Sequence, residues 1–328
     1  MGPVEPAAWR AVPWHSDLLL PEGYVRFTDG ALDTQSAWYA RLDPMLPPAV
    51  HPPDGNVITA ALPDGTRVAG VLVPTRLAPN AMPTLWSALE VWELHPMLGE
   101  HGMPQLLDQW RRTMARQPTG PDSSCLITWP SRDVGAARVF LDHGLIPLST
   151  LAIRTGAPIL PSPGALKVRR ATLRDIDTIL PLAMAELEYS AMVGSTVLRP
   201  GAAQVKRAAL SRHIDQNDPI WIGERDGIAV ALAECWYNES TTGSWSETRV
   251  RHGLWGYINS FSVAPSFRGA GVGREMASVV HRELAAAGTI GTFLYFNPPN
   301  PLSTVFWARQ GYRPLWTIWE VRPASALR

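Results

Sequence analysis

The 328-residue sequence has almost no cysteine, very little lysine, no long apolar run and no net charge. Two cysteines, Cys125 and Cys235, exclude a disulfide framework and are too few to build a zinc site alone. No apolar stretch reaches the roughly 18 residues of a transmembrane helix. The opening MGPVEPAAWR has no basic segment followed by an apolar core, so no secretory signal is expected and the expected location is cytoplasmic. Only Lys167 and Lys206 stand beside 27 arginines, and Lys+Arg and Asp+Glu are both 29. That balance argues against nucleic acid or a membrane surface as partner.

What is present is an ordinary globular composition, 46% hydrophobic and 18% charged, at a length that suits two domains. A Pro/Gly-rich segment, GAPILPSPG (156–164), divides the chain near its middle. The expected units are 1–157, a linker over 158–164, and 165–328. Residues 1–160 hold 11 Lys+Arg and 15 Asp+Glu, a balance of −4, and the rest hold 18 and 14, a balance of +4.

The halves share an order of segments. VITAALP-Asp64-Gly65 followed by RVAGVLV matches IWIGER-Asp226-Gly227 followed by IAVALAE, and both read as hairpins whose turn residues take positive φ. Apolar runs ending at Pro96 and Pro265 come next, each before a helical stretch. Segments 133–147 and 300–314 then align without a gap at an offset of 167. A tandem repeat is expected, each copy a mixed α/β unit. In the second half strands are expected at 166–170, 219–225, 228–237, 255–264, 289–296 and 314–322. Helices are expected from Thr172 to about Tyr189 and at 201–216, 271–287 and 302–310, with a polar loop over 238–254.

The chemistry-bearing motif is Pro265-Ser-Phe-Arg268-Gly269-Ala270-Gly271-Val272-Gly273-Arg274, between a strand and a helix. Glycines and a helix N-terminus present backbone N–H groups to an anion. A Walker A loop would need Gly-Lys-Ser/Thr, and a Rossmann fingerprint needs a third glycine where Arg274 stands.

With Ser262-Val-Ala-Pro265 before it, this motif resembles the acyl-CoA pyrophosphate loop of the GCN5-related N-acetyltransferases (GNAT). Asn300-PLSTVFWARQ-Gly311-Tyr312 resembles that family's second CoA motif. The resemblance covers residues 165–328 and implies two tandem GNAT-like acyl-CoA N-acyltransferase domains with a mixed sheet. It implies acetyl-CoA or another acyl-CoA as co-substrate and no metal. The N–H groups of Arg268 to Gly273 would hold the pyrophosphate, beside the positive charge of Arg268 and Arg274. The main chain at Phe261 and Val263 would pair with pantetheine, with the Val263 N–H near the thioester oxygen. Asn300 would contact pantetheine and Ser303 would line the tunnel. The family's tyrosine, the usual acid, falls on Trp307, which leaves Tyr257 and Tyr295 as substitutes or as packed aromatics.

A base is also needed, because an alkylammonium is neutral only about once in 2,500 at pH 7. Glu234, in the apolar strand IAVALAECWY, is the first choice, either as base or as a partner for an arginine. Glu188 is a weaker one. Asn259, Ser260 and Ser262 either position a nucleophile or bond within the sheet. Tryptophans 236, 245, 255, 307, 316 and 319 either line an acceptor pocket or pack the core. In the first half Gly99-Glu-His-Gly-Met-Pro104 stands opposite the glycine loop, with only one glycine aligned, so this copy is expected to be degenerate. The expected activity is N-acylation of a small-molecule amine by the second half. The alternatives are a non-catalytic acyl-CoA-binding scaffold and an O-acyltransferase of specialised metabolism.

Overall fold

A computed structural model describes residues 29–156, 164–194 and 196–328. Apart from Gly164, the expected linker 158–164 lies outside the described residues. The first half contains α1 (Asp29–Leu42), β1 (Asn56–Ala61), β2 (Arg67–Arg76), β3 (Glu90–Met97), α2 (Met103–Met114), β4 (Ser123–Pro130), α3 (Val134–Asp142) and β5 (Ile146–Arg154). The second contains β6 (Lys167–Arg170), α4 (Ile176–Met192), α5 (Ala202–Asp215), β7 (Ile220–Arg225), β8 (Ile228–Ser240), β9 (Gly253–Val263), α6 (Val272–Ala286), β10 (Gly291–Phe296), α7 (Pro301–Arg309) and β11 (Arg313–Val321).

The repeat is visible in these bounds. From β1 to β5 and from β7 to β11 the order is hairpin, strand, helix, strand, helix, strand, and α3 and β5 recur as α7 and β11 at an offset of 167. The helix caps recur too. Asp133 Oδ1 accepts the Ala136 N–H, and Asn300 Oδ1 accepts those of Leu302 and Ser303. The hairpin turns differ. Asp226 and Gly227 both have positive φ, as expected. In the first hairpin only Gly65 does, because the loop is longer and the Asp64 carboxylate instead accepts the Thr66 N–H.

All strands form one sheet in the order β1-β2-β3-β4-β11-β5-β10-β9-β8-β7-β6. The last strands of the two halves are exchanged. β11 lies antiparallel to β4 from Trp316↔Pro130 to Val321↔Cys125, while β5 lies antiparallel to β10 from Arg154↔Thr292 to Thr150↔Phe296. Apolar packing accompanies the exchange, since Trp316 packs edge-on against Tyr39 at 5.3 Å and Trp319 packs against Phe140 at 5.0 Å. One core therefore joins Trp110 and Ile127 of the first half to Trp255, Phe293 and Leu315 of the second. Burying each such large side chain contributes about 1.5–3 kcal/mol. Among the described residues no helix is long and apolar enough to cross a membrane.

Candidate active site

The site opens where two parallel strands part. β9 pairs with β10 from Trp255↔Gly291 to Ile258↔Leu294, and then β9 continues to Val263 with β10 no longer on that edge. On its other edge β9 carries a bulge: Glu234 faces Ser260 and Cys235 faces Ile258, so Asn259 is the extra residue. A bulge bends a strand and re-aims the residues beyond it. Ala264 N–H donates to the Val230 carbonyl at 2.8 Å. Strand alternation then turns the Val263 and Phe261 N–H groups to the opposite edge, towards the gap. The gap is a cleft of about 750 Å³ between β9, the glycine loop, the end of β10 and α7, with Glu186 and Tyr189 of α4 on its wall.

The glycine loop is built for close approach. Gly269 and Gly271 have φ of +80° and +85°, and Gly271 caps α6 with no side-chain partner. The first-turn N–H groups of Val272 and Gly273 have no intrahelical acceptor and sit at the positive end of the helix dipole. A Cβ on Gly273 would lie 3.3 Å from the Phe306 ring. Ala270 and Arg274 are exposed, and Arg268 donates from Nε to the Val263 carbonyl (3.0 Å) with its guanidinium over the Tyr189 ring. This half fits a bound acyl-CoA: the loop suits a diphosphate, and the buried hydroxyls of Ser262 and Ser303, without protein partners, belong to residues lining the cleft. Asn300 lines the cleft as well, although its Oδ1 is engaged in capping α7.

Trp307, at the tyrosine position, packs edge-on against Phe261 at 5.1 Å and Tyr312 at 5.2 Å and forms an apolar wall of the cleft. The other tryptophans named from sequence pack in the cores. Tyr257 is stacked on Phe293 and donates from its hydroxyl to Asn259 Oδ1 at 3.2 Å, and burial pushes its phenol well above the usual range. Tyr295 lines the cleft with its phenol raised by burial, against Arg249.

Glu234 is fully buried but lies outside the cleft lining. Its Oε2 meets Lys206 Nζ at 2.5 Å and accepts the Asn259 amide at 3.1 Å. Burial opposes its charge, and Lys206 and His213 outweigh that, so its carboxyl lies below the usual value. Its partner is thus a lysine rather than the arginine considered from sequence. Glu188 is exposed. The carboxylate that does reach the cleft is Glu186, two residues earlier. Ser190 Oγ donates to its Oε1 at 2.8 Å and Ser260 Oγ to its Oε2 at 3.4 Å. Burial raises its carboxyl above the usual range, against the pull of Lys206. Helical phase held this signal: Ile179, Leu182, Ala183, Leu187 and Ser190 are the buried stripe of α4, and Glu186 falls within it.

The first half lacks this geometry. Five residues (98–102) join β3 to α2, where eight (264–271) join β9 to α6. β3 pairs with β2 without a bulge, and its pairing with β4 runs one step further, to Leu94↔Ile127. Gly102 still caps its helix at φ +98°, but Pro104 removes an N–H from the first turn. Gln35 Nε2 of α1 donates to the Pro96 carbonyl at 2.8 Å, so a side chain already occupies the end of β3.

Residues 186–312 match the family model described as the Acetyltransferase (GNAT) family. Over most of the chain the fold is similar to a GCN5-related N-acetyltransferase from Sphaerobacter thermophilus. That pair is 15% identical, with 82% of this chain and 81% of that one covered and a TM-score of 0.50. It is similar also to a GNAT-family acetyltransferase from Colwellia psychrerythraea, 11% identical, with 90% and 97% covered and a TM-score of 0.50. No curated protein matches the sequence.

Proposed function

We propose that the second half transfers the acetyl group of acetyl-CoA to the amine of a small molecule by direct attack on the thioester. The observation that carries this is the single cleft shared by the parted β9 edge and the glycine loop. The loop N–H groups from Arg268 to Gly273 hold the diphosphate. Pantetheine adds to the edge of β9 beside Asn259, Phe261 and Val263, with Asn300 and Ser303 across the cleft. The Val263 N–H meets the thioester oxygen and stabilises the charge that develops there. Thiolate is a tolerable leaving group, with a thiol pKa of about 8.5, so Trp307 in place of a tyrosine does not prevent transfer. The first half acts as a buttress, through β5 beside β10 and β11 held between β4 and β5.

Titration calorimetry with acetyl-CoA, paired with a free-thiol assay over a panel of amines, tests the reading. Binding with acceptor-dependent thiol release is expected. Tight binding without release for any amine would return the scaffold alternative, and release with alcohols alone would return the O-acyl one.

A further inference from the structure

Behind the cleft, Lys206 of α5 and Glu234 of β8 form an ion pair whose side chains are each 1% exposed. Trp86 of the first half covers the ammonium, 5.6 Å from the ring centroid. Burying two charges is costly, and apolar residues of similar size often stabilise a core as well or better. Glu234 Oε1 is buried without a protein partner as well. Stability alone is a poor reason for such a pair.

What the pair holds is Asn259. Glu234 Oε2 accepts the Asn259 amide at 3.1 Å, and the Tyr257 hydroxyl donates to Asn259 Oδ1 at 3.2 Å. Both ends of that side chain are engaged, and Asn259 is the extra residue of the β9 bulge. It follows directly on the last β9–β10 pair, Ile258↔Leu294.

The extra residue decides which edge of β9 carries which N–H groups. Before it, the Cys235 N–H donates to the Pro219 carbonyl, away from β9, so Cys235 and Ile258 exchange no bonds and the Tyr257 N–H faces β8. Unbroken alternation would turn the N–H groups of Asn259, Phe261 and Val263 to β8 too. With the bulge in place Ala264 bonds to Val230 instead, and the Phe261 and Val263 N–H groups fall on the cleft edge. A slip by that one residue would aim them into the sheet.

From this arrangement we infer that Lys206 and Glu234 are positioning residues: the buried pair holds the Asn259 amide and so keeps the bulge that turns the β9 N–H groups into the cleft. Neither residue lines the cleft. Lys206 orients the Glu234 carboxylate, Glu234 orients Asn259, and Trp86 shields the pair from water. The first half thereby takes part in shaping the site of the second. The effect on rate rests on the acetyl-transfer reading above, and the effect on the bulge does not.

The test replaces the pair in two ways. Lys206→Met with Glu234→Leu leaves an apolar core and no acceptor for the Asn259 amide. Lys206→Met with Glu234→Gln is equally uncharged but keeps a carbonyl acceptor. Both should unfold in urea near the wild-type midpoint. In amine-dependent thiol release, kcat should fall about 10²–10³-fold in the Leu variant, the range for a lost oxyanion donor, and stay within about tenfold of wild type in the Gln variant. Asn259→Ala should match the Leu variant and add nothing when combined with it. A crystal structure of the Leu variant should show residue 259 drawn into the ladder. A Leu variant with wild-type kcat and an intact bulge, or a Gln variant as slow as the Leu variant, would overturn the assignment. So would wild-type kcat in Asn259→Ala, whether or not the pair variants fold. Wild-type protein that binds acetyl-CoA but releases no thiol with any amine would overturn the transfer reading, and the bulge in the Leu variant would then decide this assignment by itself.

Discussion

Arg199 of the second half holds Asp122 of the first in a two-pronged ion pair, with Nη1–Oδ2 at 2.6 Å and Nη2–Oδ1 at 3.1 Å. The same guanidinium donates to the carbonyls of Thr84 and Ser87. It therefore ties the segment between α4 and α5 to the first half, next to the α4 helix that carries Glu186.

Arg199→Ala should destabilise the protein by about 2 kcal/mol at pH 7, the range for hydrogen bonds to charged groups, as read by urea unfolding. The Arg199 guanidinium holds the Asp122 carboxyl below its ordinary value. A depressed carboxylate contributes stability above its unfolded pKa near 4 and loses it as pH falls through the folded one. The gap between variant and wild type should accordingly shrink below about pH 4. A gap that stays constant down to strongly acid pH would show that the ion pair contributes little.

Gly271→Asp should abolish acetyl-CoA binding by calorimetry while the fold persists by circular dichroism. It puts an L side chain at φ +85° and a negative charge at the helix N-terminus. Binding that survives would sink the role given to this loop.

His281 gives a pH prediction of its own. It is buried, its Nε2 lies 2.9 Å from the Tyr312 hydroxyl, and burial pushes its pKa down to about 3. The unfolded chain binds this proton near pH 6.5 and the folded one does not, so stability should fall as pH drops from about 6.5 towards 3. His281→Gln should flatten that slope, and nitrogen chemical shifts should show a neutral ring at pH 5. A ring that titrates near 6.5 would contradict the burial argument.

Residues 165–328 alone should not give a stable monomer, because β10 would lose β5 and β11 would lose both neighbours. Size-exclusion chromatography should show dimers or aggregates. A well-folded monomer would show that the second half can re-pair its own strands.

Much of this was legible in the residues. Helix 302–310 and strand 314–322 were expected within one position of α7 and β11, because Asn300, Gly311 and Pro314 punctuate the chain there. The glycine loop was legible for the same reason. The strand exchange was not. β5 and β11 carry similar apolar patterns, and which of them lies beside β10 is decided by tertiary packing, such as Trp316 on Tyr39. The Glu186 site was missed because its signal is helical phase rather than a motif. The shortened 98–102 connection was hidden because Gly102 and Gly271 align at the cap while three residues are missing before it.

The exchanged strands also set an order of assembly. β4 and β5 are not paired with each other, and the place between them belongs to β11, whose Val321 pairs with Cys125. While the chain is being synthesised, one edge of β4 and both edges of β5 stand open until β11 begins, about 160 residues beyond the end of β5. Such edges are templates for wrong pairing. Slow translation of the second half, or its truncation, thus exposes the first half to aggregation, even though the first half contains none of the proposed chemistry.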